Sequence, residues 1–214
     1  MHPAPIFQHG FDDARAIAQR HPFAVLTAWS GQKLVMAQAP LIEVCDSDGA
    51  LTGYEGHLAR SNALVQNCDI TQPIGVMVVF AGANAYVTPN AYPSKQEHGR
   101  EVPTWNYASA ELEGLLSFAT EQAETLSIVE RQTACFEREL PNPWKMSDAP
   151  GDYIEKLGRA IIGFSISIER FEATIKLNQN KPAADFDGVA NWLAAQDHPQ
   201  SREIAALMHA LERD

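Results

Sequence analysis

Residues 102–107, with the sequence Val-Pro-Thr-Trp-Asn-Tyr, place a large aromatic side chain between two side chains that form hydrogen bonds. The indole of Trp105 is a flat apolar surface, and its neighbours Thr104 and Asn106 can donate and accept hydrogen bonds at the edge of a ring. This combination is typical of a site that grips a flat heterocycle. The alternative is ordinary core packing, because tryptophans are highly buried on average.

A second candidate segment, Arg60-Ser61-Asn62, stands at the start of a stretch that predicts a short helix over residues 61–67. The first N–H groups of a helix have no partner inside the helix and attract anions. Arg60 adds a positive charge and Ser61 adds a hydroxyl, so the segment can hold a phosphate. The simpler alternative is that Ser61 caps the helix while Arg60 pairs with a surface carboxylate.

The composition indicates a globular protein with one substantial core, since 45% of its 214 residues are hydrophobic and 20% are charged. A formal net charge of −11 argues against a surface built to neutralise nucleic-acid phosphates, although a local basic patch is compatible with it. The sequence contains no signal-peptide pattern and no apolar run of the ~20 residues that span a bilayer. We therefore expect a cytoplasmic protein outside the membrane.

The motifs of several other functional classes are missing from the sequence. The three cysteines contain no Cys-x-x-Cys pair, and the seven histidines form no helical metal pair near a carboxylate. Neither a Gly-x-Ser-x-Gly elbow, nor a P-loop, nor a Gly-x-Gly-x-x-Gly fingerprint occurs. The sequence therefore predicts reduced thiols and no metal site, and it assigns no catalytic residue.

Hydrophobic periodicity predicts a mostly β protein with peripheral helices, an α+β fold in which antiparallel strands form a barrel. Residues 74–81 form an uninterrupted apolar run, which is expected of a central strand buried on both faces. We expect one domain over residues 1–214 with a helical C-terminal extension from about residue 181. The other predicted strands cover residues 23–29, 33–44, 50–57, 84–88, 105–118 and 162–176, and the predicted helices ahead of the extension cover residues 11–20, 61–67, 121–140 and 152–160.

Several motifs in the same order resemble the FMN-binding proteins of the PaiB type, a family of negative transcriptional regulators. The resemblance extends over roughly residues 5–195 and is more specific than any one motif. The motifs are Pro22-Phe23-Ala24, Gly56-His57-Leu58-Ala59-Arg60-Ser61-Asn62, Ala85-Tyr86-Val87-Thr88-Pro89, Val102-Pro103-Thr104-Trp105-Asn106-Tyr107 and Lys176-Leu177-Asn178-Gln179-Asn180.

This resemblance implies an antiparallel split β-barrel of the pyridoxamine-phosphate-oxidase-like class, which forms a homodimer and holds FMN in a groove between two barrels. Arg60, Ser61 and Asn62 are expected at the phosphate, and Trp105 is expected against the flavin. Gln179 and Asn180 are expected across the interface, with loop capping as their alternative. The complete set of implied cofactor-binding residues is Thr27, Gln38, His57, Arg60, Ser61, Asn62, Lys95, Thr104, Trp105, Asn106, Lys176, Gln179 and Asn180.

The chain departs from the family pattern at four places. Gln38 stands where the family usually has a histidine, Asn178 replaces a serine, and Ala173 replaces a glycine shortly before Lys176. Asn90-Ala91 stands where a bulkier pair with an aromatic residue is usual. These departures are expected to reshape the pocket without abolishing cofactor binding.

Three functional hypotheses follow from different classes. The first is a regulator in which FMN or its redox state biases an interaction with promoter DNA or with a regulatory protein. The second is an FMN-dependent oxidoreductase that takes electrons from a nicotinamide. The third is an interaction protein without a cofactor, whose barrel only scaffolds a dimer.

Overall fold

A computed structural model describes residues 4–211 of the chain. Within this range the chain forms eight β-strands and seven α-helices. The strands are β1 (Gln8–His9), β2 (Phe23–Trp29), β3 (Leu34–Pro40), β4 (Ile42–Cys45), β5 (Leu51–Ala59), β6 (Ile74–Val87), β7 (Thr104–Phe118) and β8 (Ile161–Lys176). The helices are α1 (Phe11–Arg20), α2 (Ala63–Asn67), α3 (Lys95–His98), α4 (Gln122–Glu137), α5 (Gly151–Gly158), α6 (Ala183–Ala194) and α7 (Pro199–Ala210).

The strands form one antiparallel sheet in the order β3-β2-β6-β7-β8-β5-β4, and β1 pairs with β8. The order ends at β3 and β4, which are not bonded to each other, so the sheet is open. The predicted mostly β fold with peripheral helices is confirmed. No helix between residues 4 and 211 is long and apolar enough to cross a membrane.

Two predicted boundaries in the sheet were wrong. The expected strand over residues 33–44 is two strands, β3 and β4, which are separated at Leu41. The expected strands over residues 74–81 and 84–88 are the single strand β6. Within β6, Gly82 and Ala83 are both buried, so the inward-facing positions shift by one residue and the strand continues.

The chain divides into two compact units, one of which comprises residues 21–80 and 111–171. Strand β2 of this unit alternates strictly and buries Ala24, Leu26 and Ala28. Helix α4 lies close to the sheet, where the hydroxyl of Thr125 accepts a hydrogen bond of 3.0 Å from the N–H of Gly163. This helix is thereby fixed over the middle of its unit.

The expectation that the apolar run in β6 is buried on both faces is wrong. Val76, Val78 and Phe80 point into the core, but Met77 is 43% exposed. The register places Thr27 of β2 opposite Met77 of β6 and opposite Met36 of β3. We call the exposed side of these three strands the outer sheet face; its exposed apolar residues are Phe23, Trp29, Leu34, Met36 and Met77.

The other unit comprises, among the described residues, 4–20, 81–110 and 172–211. Helices α6 and α7 supply much of its apolar core, together with the later part of β6. The packing is close at Gly188 of α6, where a Cβ atom would meet the carbonyl oxygen of Ala91 at 2.7 Å. Asp185 accepts hydrogen bonds from the backbone N–H and the hydroxyl of Ser94 at 3.0 and 2.7 Å, which ties the start of α6 to the loop before α3.

Candidate functional site

The residues predicted to bind a cofactor fall into both units. One set lies in the unit of residues 21–80 and 111–171, and the other set lies in the unit that contains α6 and α7. The first set is Thr27, Gln38, His57, Arg60, Ser61 and Asn62. The second set is Lys95, Thr104, Trp105, Asn106, Lys176, Gln179 and Asn180.

The Arg60-Ser61-Asn62 segment connects β5 to α2, as expected for a segment that opens a helix. Asn62 is the N-cap, because its side-chain oxygen accepts from the N–H of Leu64 at 2.9 Å. The alternative in which Ser61 caps the helix is therefore wrong. The half-buried guanidinium of Arg60 has no side-chain partner within residues 4–211. A cation without a carboxylate beside it remains available to an anionic ligand.

His57 lies on β5 and takes part in a chain of hydrogen bonds that reaches α4. The side-chain amide of Gln132 donates to the carbonyl oxygen of Pro40 at 2.9 Å and turns its own oxygen to Nδ1 of His57 at 2.6 Å. Nδ1 therefore donates this hydrogen bond, and the other ring nitrogen, Nε2, takes no part in it. This arrangement gives His57 a structural role in its unit, while its contact with a cofactor stays a prediction.

Thr27 and Gln38 both belong to the outer sheet face. Thr27 lies in the row with Met36 and Met77, and Gln38 lies opposite Val25. Gln38 is exposed and Thr27 is half-buried. Two polar side chains are thus set among exposed apolar residues, where a ligand or a second protein surface can reach them.

Lys176, in the other unit, is a partly buried lysine whose hydrogen-bond partners are neutral. Its Nζ atom donates to the hydroxyl of Thr104 and to the main-chain oxygen of Trp105, the latter at 2.6 Å. Both acceptors are neutral, and no carboxylate within the described chain pairs with this lysine. Because burial disfavours the charged form, the pKa of Lys176 is lowered from its ordinary value. An anion bound here would compensate for the solvation that the ammonium group has lost.

Trp105 and Asn106 lie on opposite faces of β7, as the alternation of a strand requires. Trp105 is 52% exposed, and its ring makes an edge-to-face contact with Tyr86 at a centroid distance of 6.2 Å. Asn106 is fully buried and donates to the sulfur of Met208 at 3.6 Å, while its side-chain oxygen has no partner among the described atoms. The contact of Trp105 with the ring, and of Thr104 and Asn106 with its edge, stays a prediction.

The remaining predicted residues lie near the ends of α3 and β8. Lys95 donates to the side-chain oxygen of Asn90. Gln179 accepts from the N–H of Leu177 and donates to the carbonyl oxygen of Ile175, both at 2.7 Å, which closes the turn after β8. These bonds agree with loop capping, and Asn180 is exposed. A role for Gln179 and Asn180 across an interface stays a prediction.

The unit that contains α6 and α7 has a pocket of about 480 Å³ that was not predicted from the sequence. Three aromatic side chains line it, from β6, β7 and α6 respectively: Tyr86, Trp105 and Trp192. Trp192 lies 87 positions after Trp105 in the sequence, and no local pattern links the two. The sequence indicated Trp105 and, within a motif, Tyr86, but it did not indicate Trp192.

Each unit, taken by itself, offers groups that suit a part of a flat cofactor with a phosphate. Arg60 and Lys176 are cations without a carboxylate partner in the described structure, which suits an anionic ligand. Trp105 supplies an exposed aromatic surface, which suits a planar ring. Charge and shape are therefore both available, one cation in each unit.

Comparison with known proteins agrees with this chemistry. Residues 1–170 match a family model described as "Putative FMN-binding domain". The chain is 33% identical over 169 residues to the uncharacterized protein AN0679 of Emericella nidulans, covering 67% of each chain. It is 29% identical over 155 residues to the protease synthase and sporulation protein PAI 2 of Bacillus subtilis, covering 72% of this chain and 70% of that relative.

Among solved structures, the FAD and heme binding protein of Mycobacterium smegmatis superimposes with a TM-score of 0.55 at 10% identity. The superposition covers 79% of this chain and 73% of that one. At this identity the likeness concerns the fold alone. Together with the open antiparallel sheet, it confirms the predicted split-barrel class.

Proposed function

The chain belongs to the FMN-binding domain family, and from this premise we propose that it binds FMN and acts as a negative transcriptional regulator of the PaiB type. The observation that carries the proposal is the pair of cations without carboxylate partners, Arg60 and Lys176. Cations in folded proteins usually find a counter-ion when they are partly buried, because an unpaired charge loses solvation. A dianionic phosphate would provide one counter-ion, and the anionic form of a reduced flavin ring would provide the other.

Each of these residues would hold a different part of the cofactor. Arg60 would bind the phosphate together with the N–H groups at the start of α2, and Ser61 would add its exposed hydroxyl. Trp105 would lie against the ring, and Lys176 would supply positive charge at the edge of the ring. Bound FMN supplies a redox-active ring system with oxidised and reduced forms.

A homodimer is part of this proposal, and the outer sheet face supports it. Leu34 is 68% exposed and Trp29 is 59% exposed, and the two are paired across β3 and β2. Soluble monomers rarely expose contiguous apolar patches of this kind. A second copy that covers the face would also bring Thr27 and Gln38 to the interface, where the resemblance expects the cofactor groove.

The regulatory step would use this dimer as a sensor in the cytoplasm. A net charge of −11 disfavours a broad surface for DNA phosphates, so we propose that FMN biases contact with a regulatory protein or with promoter DNA through a local patch. We further propose that residues 1–214 act as one domain whose helical extension begins at about residue 181.

The visible spectrum and the solution mass of the purified full-length protein test the central proposal. We expect stoichiometric flavin absorption and twice the mass of one chain. Protein that remains colourless after incubation with FMN would defeat the cofactor assignment. Promoter fragments or candidate partner proteins would then be titrated with and without FMN, and equal affinity in both states would contradict a flavin-dependent regulator.

Lys176 supports a second candidate function, an FMN-dependent oxidoreductase with a nicotinamide as electron donor. A cation near the ring stabilises the anionic, reduced flavin and so favours reduction. NADH or NADPH is expected to bleach the flavin band, with recovery when an electron acceptor is added. If neither nucleotide bleaches the band within minutes, the oxidoreductase candidate is excluded while FMN binding stands.

A further inference from the structure

The aromatic pocket of the unit that contains α6 and α7 has the features of a ligand site. Its volume of about 480 Å³ lies within the range of about 300–1,000 Å³ that small-molecule sites occupy. Tyr86 and Trp105 come from neighbouring strands, and Trp192 comes from α6. Large aromatic residues at 46% and 52% exposure, as Tyr86 and Trp105 are, leave ring surface for another aromatic group.

The charges around the pocket favour an uncharged ligand. None of its described lining residues is a lysine or an arginine, so no cationic side chain of the lining can pair with a phosphate. The single carboxylate of the lining, at Asp197, already pairs with Arg202 at 2.6 Å. An organic cation would therefore meet a carboxylate that is already neutralised.

The polar residues of the pocket are suited to the edge of a heterocycle. Asn84, Gln196 and Gln200 provide amides, and Ser201 provides a hydroxyl. Helix α7 begins at Pro199, between the lining residues His198 and Gln200, and the side chain of its N-cap, His198, makes no capping bond. The N–H groups of Gln200 and Ser201 are thus open to a carbonyl or ring-nitrogen acceptor.

We propose that this pocket binds an uncharged, planar, fused heteroaromatic ring, stacked against Trp105 and Trp192 with its acceptor edge toward the start of α7. Two sources share this chemistry: the isoalloxazine of a bound flavin and a separate small molecule. With the flavin as the source, the inference rests on the proposed function and extends its ring site from Trp105 to Trp192 and the start of α7; with a separate ligand, it goes beyond that function. It rests on the pocket geometry and does not require Arg60 or Lys176.

Lumichrome is a suitable probe, since it is an uncharged tricyclic heteroaromatic ring without a ribityl phosphate. Its fluorescence anisotropy is measured with the full chain, first freed of flavin and then loaded with FMN. We expect Trp192→Ala to weaken lumichrome binding about tenfold or more, the effect of losing one stacked aromatic. Trp192→Phe should stay within about threefold of the parent, because it keeps an aromatic wall.

Trp192 also packs against the apolar core of its unit, so a second variant is needed that leaves this contact in place. Ser201→Trp fills the pocket from α7 and should abolish lumichrome binding with an unchanged circular dichroism spectrum. Trp144→Ala removes an equally large, 42% exposed indole outside the pocket and should bind lumichrome normally.

The two forms of the protein identify the source of the ring. Lumichrome binding only to the flavin-free form, with competition by FMN, identifies the flavin ring as the occupant. Equal binding to both forms identifies a separate ligand. No binding to either form, or equal binding to the parent, Trp192→Ala and Ser201→Trp, would overturn the proposal. Loss of FMN binding in the parent would defeat the proposed function while leaving the lumichrome result to be judged separately.

Discussion

The Nζ atom of Lys176 donates a hydrogen bond of 2.6 Å to the main-chain oxygen of Trp105. The bond joins the end of β8 to the start of β7, and the same ammonium group also reaches the hydroxyl of Thr104. A lysine that is held by neutral acceptors keeps its positive charge uncompensated. The segment that the sequence indicated as an aromatic grip therefore comes with its own cation.

Replacement of Lys176 by methionine should weaken FMN binding by about ten- to a hundredfold, the usual worth of a hydrogen bond to a charged group. Lys176→Arg retains the charge and should lose much less. Titration of flavin-free protein with FMN, followed by flavin fluorescence, measures both constants. Equal affinity of Lys176→Met and the parent would remove Lys176 from the cofactor site.

The stability of the flavin-free protein should rise with pH through the titration of Lys176. Its pKa is lowered in the fold by burial, so the unfolded chain binds the proton more tightly. The penalty is fully present below the folded pKa, and it disappears as the pH rises from that value toward the ordinary lysine value. Urea unfolding at a series of alkaline pH values should show this rise in the parent and a weaker one in Lys176→Met. Identical profiles would contradict the burial argument.

Replacement of Arg60 by alanine should lower FMN affinity by about ten- to a hundredfold, because it removes a charged partner of the phosphate. Riboflavin lacks the phosphate, so its affinity should change little. Arg159→Ala, which removes an exposed arginine of the same unit, is the matched control. If Arg60→Ala weakens riboflavin and FMN equally, the arginine does not act through the phosphate.

The strands and helices could be predicted where the periodicity of hydrophobic residues within the segment distinguishes them. The bounds of β2 agree with the expected residues 23–29, because the alternating pattern runs through the whole segment. The bounds of α1 agree with the expected residues 11–20, because the segment begins with a charged first turn. The burial of the apolar run in β6 was wrongly predicted at Met77. An apolar residue on the exposed face of a strand and one that faces the core look alike in a sequence.

The candidate site was only partly visible in the sequence for a similar reason. Trp105 and Arg60 were found by their residue types and neighbours. The bond between His57 and Gln132 and the approach of Trp192 to the Trp105 pocket join positions far apart in the chain. Such contacts depend on tertiary packing and leave no local pattern.

Met77→Glu should convert the proposed dimer into a monomer, since each interface would then bury two unpaired carboxylates. We expect the dimer dissociation constant to rise by at least about a hundredfold. Sedimentation equilibrium over a concentration series measures the change. Leu140→Glu alters an equally exposed leucine outside the outer sheet face and should leave the mass unchanged. A fully dimeric Met77→Glu protein would place the interface elsewhere.

Gly163→Ala should destabilise the unit of residues 21–80 and 111–171 by about 1–3 kcal/mol, the usual cost of overpacking. A Cβ atom at Gly163 would lie 2.8 Å from the Cδ1 atom of Ile128 and 3.2 Å from the Cα atom of Thr125. The isoleucine tip can move aside, but a shift of the α4 backbone at Thr125 would also stretch the 3.0 Å hydrogen bond that the Thr125 hydroxyl accepts from the N–H of Gly163.

Urea unfolding of three variants separates these two contacts. Ile128→Val in the Gly163→Ala background shortens the clashing side chain and should recover only part of the loss, because the contact with α4 backbone remains. Gly151→Ala, where no atom lies within 4 Å of the added Cβ, should be neutral or slightly stabilising. Full recovery by Ile128→Val would assign the whole cost to the side chain, and a Gly163→Ala protein as stable as the parent would show that α4 can lift from β8 at little cost.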